Sequence, residues 1–192
     1  MQNFSIFDER KAAQASAFLL FKGKGRLSLL KLMKLMYLSE RLSLGRYGDT
    51  ITGDDFVSMK NGPVLSMMLN HLNGFVKSSP DGWDKWIADR SENIIELRDP
   101  SMIRTPEEDL LALSETDLEC LNEVWSEFGH WDSWKLVEYT HSEACPEWQD
   151  PGNSSRPIPP SRLLKAVGYK PGKVEELTKR LHEQRYITAA FC

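Results

Sequence analysis

Apolar and polar positions along this chain repeat mostly with the period of a helix, and only briefly with that of a strand. The first such pattern predicts a helix over about residues 8–22, opened by Asp8 and closed by Gly23 and Gly25. The stretch LLKLMKLMYLSERLSLGRYGD, residues 29–49, predicts a second helix. At about 100° per residue, Leu29, Leu30, Leu32, Met33, Met36, Tyr37 and Leu44 share a wide apolar arc. Lys31, Lys34 and Arg41 fall together opposite it. Glu40 lies inside the apolar arc, where a carboxylate must find a partner. Gly45 and Gly48 are expected to end the helix.

Residues 51–74 read as a short helix, a break and another helix. Asn61-Gly62 is turn chemistry, and Pro63 suits the first position of a helix faced by Val64, Met68 and Leu72. SSPDGWDKWIADR, residues 78–90, fits a further turn or two of helix, with Trp83 and Trp86 three apart. NIIELR, residues 93–98, is the best strand candidate, and DLLAL, residues 109–113, is its expected partner in an antiparallel ribbon. SETDLECLNEVWSEFG carries the clearest helix signature, with Ser114 and Asp117 as a capping-box pattern. Its apolar face is Leu118, Leu121, Val124, Trp125 and Phe128, and Gly129 closes it. A short helix follows over residues 132–141. The Pro-, Ser- and Gly-rich residues 150–160 read as a connector to two terminal helices, the last docking by the narrow stripe Val174, Leu177 and Leu181. The expected fold is mainly α: a compact helical domain with a small antiparallel β-ribbon and C-terminal helices after a Pro-rich linker. Residues 1–150 form the expected domain, and residues 151–192 the linker and helical extension.

Composition narrows this picture without changing it. Of 192 residues, 24 are basic and 28 acidic, giving a formal charge of −4. That balance argues against broad nucleic-acid binding, which needs a basic footprint, and no basic recognition helix is evident. Apolar runs are too short to span a bilayer, and MQNFSIFDERK lacks the pattern of a secretory signal. Cys120, Cys145 and Cys192 are an odd, scattered set that fits a reducing cytoplasm better than a disulfide scaffold.

Candidate chemistry is sparse. His141 and Cys145 stand four apart with Glu143 between them, the spacing of a nucleophile and base or of two metal ligands. Pro146 disfavours a helix at Cys145, and no second pair completes a metal set. FKGKGRLS, residues 21–28, has the glycines and cations of an anion loop, but a plain interhelical turn explains it. RTPEED, residues 104–109, reads as a solvated helix start or loop. The basic strip Lys31, Lys34 and Arg41 and the acidic strip Glu119, Glu123 and Glu127 look like solvent-facing helix sides. Either strip suits a charged partner, since charge patterning steers encounter.

The order of motifs resembles the Panacea domain, also called the SocA-like antitoxin or phage-associated protein family. Lys31-Leu32, Lys34-Leu35 and Tyr37 match its first helix, and Tyr47-Gly48 the end of it. Gly62-Pro63-Val64 match a later Gly-Pro-Val, and Leu113-Ser114 a Leu-Ser. Thr140-His141, Glu143 and Trp148 match the last element. THSEACPEW departs from that element, because Glu147 separates Pro146 from Trp148, and SMKNGPV lacks the aromatic that often precedes Gly-Pro. The resemblance covers roughly residues 10–150. It implies a small helical, non-enzymatic protein of prophages and mobile elements, with no cofactor. Its implied partner is a cognate toxin encoded by an adjacent gene, neutralised by direct binding. The alternative it implies is an adaptor that delivers the toxin to an ATP-dependent protease, for which the tail YITAAFC is a candidate element. A His/Cys-dependent hydrolase or metal enzyme at His141 and Cys145 is the reading from another class. Lys31, Lys34, Arg41, Glu119, Glu123 and Glu127 are the expected partner-binding residues. Tyr37, Gly48, Gly62, Pro63, His141 and Trp148 are expected to hold the fold, with Gly62-Pro63 turning the chain into a helix. His141 is expected to supply a hydrogen bond and Trp148 apolar area.

Overall fold

The second helix organises everything around it. The computed structural model describes residues 6–191, with side chains through Ile187. In it α2, Leu29–Tyr47, starts at Ser28, whose hydroxyl accepts from the Lys31 N–H at 3.3 Å. Every residue from Leu32 to Glu40 is buried. A helix enclosed all round sits at the centre of a domain rather than on its surface. Around it pack α1 (Glu9–Lys22), α6 (Glu115–Phe128), α7 (Ser133–Thr140) and α8 (Pro160–Ala166). The helix continues through Gly45, where an added Cβ would lie 3.3 Å from Val167 Cβ, and stops at Gly48 in the left-handed region, φ +68°.

The neighbours follow local rules. Asp8 caps α1, whose Ala12, Ala13, Ala15 and Ala17 are fully buried and let it lie close. Ser114 and Asp117 complete a true capping box on α6, and Lys11 of α1 reaches Asp117 at 2.7 Å. Asp132 caps α7 through the N–H groups of Trp134 and Lys135. Trp83 and Trp86 are buried on the single turn α4, Trp83–Trp86.

Two expectations are corrected. Residues 56–65 form a hairpin, β2 (Phe56–Met59) and β3 (Gly62–Leu65), rather than two helices; α3 begins only at Ser66 and ends at Leu72. The two-residue turn Lys60–Asn61 sets the register, pairing Met59 with Gly62 and Ser58 with Pro63. Pro63 lies in β3, an edge strand, where a missing N–H is tolerated. Burial alternates along β2, so the period there is two. The second correction concerns the ribbon. β4 (Ile94–Glu96) pairs with β1 (Arg26–Ser28), not with residues 109–113. Pro106 opens a single turn, α5 (Pro106–Asp109), and Leu110 and Leu113 then plug into the core. Ala112 spends its N–H on Gln14 Oε1 at 2.7 Å, so no ladder is available there.

The Pro-rich segment does more than connect. Its Arg156 and Pro157 form β5, which pairs with β2, and Ile158 is buried. The terminal helices α8 and α9 (Pro171–Phe191) lie against the C-terminal end of α2. Val174, Leu177 and Leu181 are buried as the expected narrow stripe. Tyr169 Oη donates to Leu44 O at 3.3 Å, Arg180 donates to Gly48 O, and Arg185 pairs with Asp55.

Two buried carboxylates hold the crossing from α2 to the hairpin. Glu40 is fully buried and accepts from Ile51 N at 2.6 Å, from Thr52 N at 2.8 Å and from the Thr52 hydroxyl. Asp54 accepts from Met67 N and Met68 N, each at 2.8 Å, and so caps α3 from a distant loop. Burial raises Glu40 to about 7 against its donors. The folded chain therefore binds an extra proton between about pH 4.5 and 7, so Glu40's contribution is fully present below that window and falls as pH rises through it. Replacing Glu40 by Ala strands three donors and is expected to cost about 2–4 kcal/mol. Denaturant titrations from pH 4.5 to 7.5 should show both the loss and a flatter pH dependence in Glu40→Gln.

Candidate functional site

The polar groups of α2 that are not used by the loop 49–55 converge on a second place. At about 100° per residue, Lys34, Tyr37 and Arg41 occupy one arc of the helix. The hairpin and the segment after α7 close over that arc. Lys34, fully buried, donates from Nζ to Pro63 O at 2.7 Å. Tyr37 donates its hydroxyl to Glu147 Oε1, and Arg41 donates from Nε to the same oxygen at 2.7 Å. Arg41 also reaches Ala144 O at 2.7 Å, and Glu147 is fully buried. Trp148 donates from Nε1 to Met59 O at 3.1 Å and stacks on His141, ring centres 4.0 Å apart and 18° from parallel.

Gly62 makes this closure possible. Its φ is +97°, and a Cβ there would lie 2.6 Å from Lys34 Nζ, 2.8 Å from Thr140 Oγ1 and 3.1 Å from His141 Nε2. The two strands of the hairpin are thus held by α2 on one side and by Trp148 on the other. Charge is strongly conditioned by burial in this clasp. Desolvation lowers Lys34 to about 7 and pulls His141 down, helped there by the Lys34 charge. Tyr37 is raised well above its usual range, first by burial and then by Glu147, so it keeps its proton.

Several expected positions are thereby revised. Lys34 does not face solvent; the supposed basic strip is broken by its burial. Lys31 is half-buried, donates to Gly129 O at 2.7 Å and lies 5.8 Å from the Trp125 ring, so it finishes the C-terminal end of α6. Arg41 is committed to Glu147. On α6, Glu119 and Glu123 are exposed but tied to Arg46, at 2.9 and 2.8 Å, and Tyr47 donates to Glu119 at 2.8 Å. Glu127 is exposed further along the same helix. Gly48 ends α2 beneath Leu177. Gly62 and Pro63 serve a strand rather than a helix start. The hydrogen bond of the last segment comes from Trp148, while His141 Nε2 is buried without a hydrogen-bond partner among the described residues.

Glu147, Arg46 and Tyr47 carry contacts that the motif pattern did not assign. A signal for Glu147 existed: Lys34 and Arg41 flank Tyr37 on one arc of a helix rich in apolar residues, and such an arc, if covered, needs an acid. The His141 and Cys145 pairing shows no activated thiol, because burial pushes Cys145 up to about 12. No group of three or more His, Cys, Asp or Glu side chains able to hold a metal occurs among the described residues. The FKGKGRLS segment is a left-handed turn into β1, with Gly25 at φ +91° accepting from Leu97 N. A cleft of about 650 Å³ between α3 and α4, lined by residues including His71, Trp83, Lys77 and Arg90, shares no residue with the clasp.

A sequence model of a protein family, described as "Antitoxin SocA-like, Panacea domain", matches residues 32–149, more than half of the chain. This chain belongs to that family. The matched Panacea region begins inside α2 and ends one residue after Trp148, so it encloses Lys34, Tyr37, Arg41, Gly62, His141 and Glu147. No curated protein and no solved structure matches the chain.

Two substitutions test the Panacea clasp. Gly62→Ala forces a Cβ into a left-handed position against Lys34 and should cost about 2–4 kcal/mol. Glu147→Ala leaves Tyr37 facing no acceptor and the Arg41 charge with only Ala144 O, and should cost about 3–5 kcal/mol, against roughly 1 kcal/mol for Tyr37→Phe. Chemical unfolding of the three variants reads the order directly.

Proposed function

We propose that this Panacea protein is the antitoxin of a toxin–antitoxin system, acting in the cytoplasm without catalysis of its own. Its partner is a cognate toxin encoded by an adjacent gene, neutralised by direct protein–protein binding. The observation that carries this reading is the family match over residues 32–149. The geometry supports it in one respect. Lys34 of the motif and Arg41 of the expected basic strip are used inside the domain, which leaves recognition to the outward faces. Among these, the exposed Glu119, Glu123 and Glu127 side of α6 suits a basic toxin surface.

A second reading has its own supporting observation. The helix α9 carries Tyr186 and Ile187 exposed by 75% and 59%, a patch that suits an adaptor contact with an ATP-dependent protease. The rest of the tail YITAAFC lies outside the residues whose side chains are described.

Co-expression with the neighbouring reading frame tests both. Growth should be rescued and the two proteins should co-purify; neither association nor rescue would end the antitoxin reading. Glu123→Lys combined with Glu127→Lys should weaken the complex about tenfold or more. An unchanged affinity would exclude the acidic side from the interface. Deleting residues 187–192 separates masking from delivery: an unchanged toxin half-life supports masking, and a longer one supports delivery.

A further inference from the structure

Two nitrogen bases face the same small space beside Gly62. A Cβ at that glycine would touch Lys34 Nζ at 2.6 Å and His141 Nε2 at 3.1 Å. Lys34 uses Pro63 O as acceptor, and His141 Nε2 is buried with no hydrogen-bond partner among the described residues. Among the described residues no carboxylate bridges them. Glu147 turns Oε1 to Tyr37 and Arg41, and its Oε2 is bonded to neither base. Cys145 also faces Lys34, but its thiol stays neutral because burial holds it near 12. Asp150 draws His141 the other way, and the hairpin strands themselves contribute no titratable group.

We propose that Lys34 and His141 act as a one-proton pair that clasps the β2–β3 hairpin, so that a second proton loosens the hairpin from α2. With one proton, the Lys34 ammonium donates to Pro63 O, and neutral His141 stacks on Trp148, which holds Met59 O. A second proton puts two cations in one buried space, where repulsion and desolvation act together. Moving the hairpin outward relieves both, because it carries Gly62 and Pro63 away and admits water. The lowered values of both bases agree with this reading. Below the ordinary histidine value of 6.5 the folded clasp binds fewer protons than an opened one, so hairpin protection falls as pH falls. The inference does not depend on which partner the protein binds.

Hydrogen exchange of the purified protein at pH 6.5, where Lys34 holds its proton and His141 does not, and at pH 5, corrected for intrinsic exchange rates, tests it. The hairpin amides should lose protection several-fold, while α6 amides keep theirs. His141→Gln should abolish the change whatever its absolute protection. In Lys34→Met, the His141 titration followed by NMR should move up toward 6.5. If Lys34→Met fails to fold, the His141→Gln comparison decides alone. Equal hairpin protection at both pH values in the wild type would overturn the proposal. So would a parallel loss in α6, persistence of the change in His141→Gln, or a His141 titration unmoved by Lys34→Met.

Discussion

A helix enclosed on every side cannot carry charges without an interior that is built to receive them. α2 brings Lys34, Tyr37, Glu40 and Arg41 into the middle of the domain, and each polar end meets its partner there. An isolated ion in such a place would be costly by many kcal/mol, so the partners are not decoration; they determine which segments can cover the helix. Glu40 selects the loop at Ile51 and Thr52. Lys34 selects the carbonyl of Pro63, and Arg41 with Tyr37 selects Glu147. Distant stretches of the chain are thereby brought to fixed positions around one helix.

This arrangement gives the motifs of the family a physical reason. Lysine and tyrosine three apart on α2, a glycine-proline pair in the hairpin, and a histidine and tryptophan after α7 are parts of one clasp. Gly62 is required because a lysine, a threonine and a histidine crowd the space where a side chain would stand. The motif therefore describes how the domain is closed. Under the proposed antitoxin function, recognition is assigned to surfaces that the motif does not fix, such as the acidic side of α6 or the end of α9.

The helices were legible from period and caps. Asp8, Ser114 and Asp132 start helices where a capping residue should, and Val174, Leu177 and Leu181 dock α9 by one edge. The partner demanded by Glu40 was foreseen in kind, though not by residue. What failed was short-range. The hairpin was hidden because Val64, Met68 and Leu72 also satisfy a helical period, while the Asn61-Gly62 turn signal between β-branched and aromatic residues was given to the wrong connection. β1 is only three residues long and has no period to read. Lys34 misled because a lysine on a helix normally marks the wet side; burial shows only once the acceptor at Pro63 is known. Glu147 stood out in the sequence as an interruption, and the structure makes it the acceptor of the clasp.

The central claim is that these interior polar contacts, rather than apolar packing alone, join the last segment to α2. A double-mutant cycle between Arg41 and Glu147, each changed to Met, measures that most directly by equilibrium unfolding. The account predicts a coupling of about 2 kcal/mol, near the upper part of the range for residues in contact. A coupling within a few tenths of a kcal/mol of zero would mean that the two side chains meet without holding the segment in place, and would contradict it.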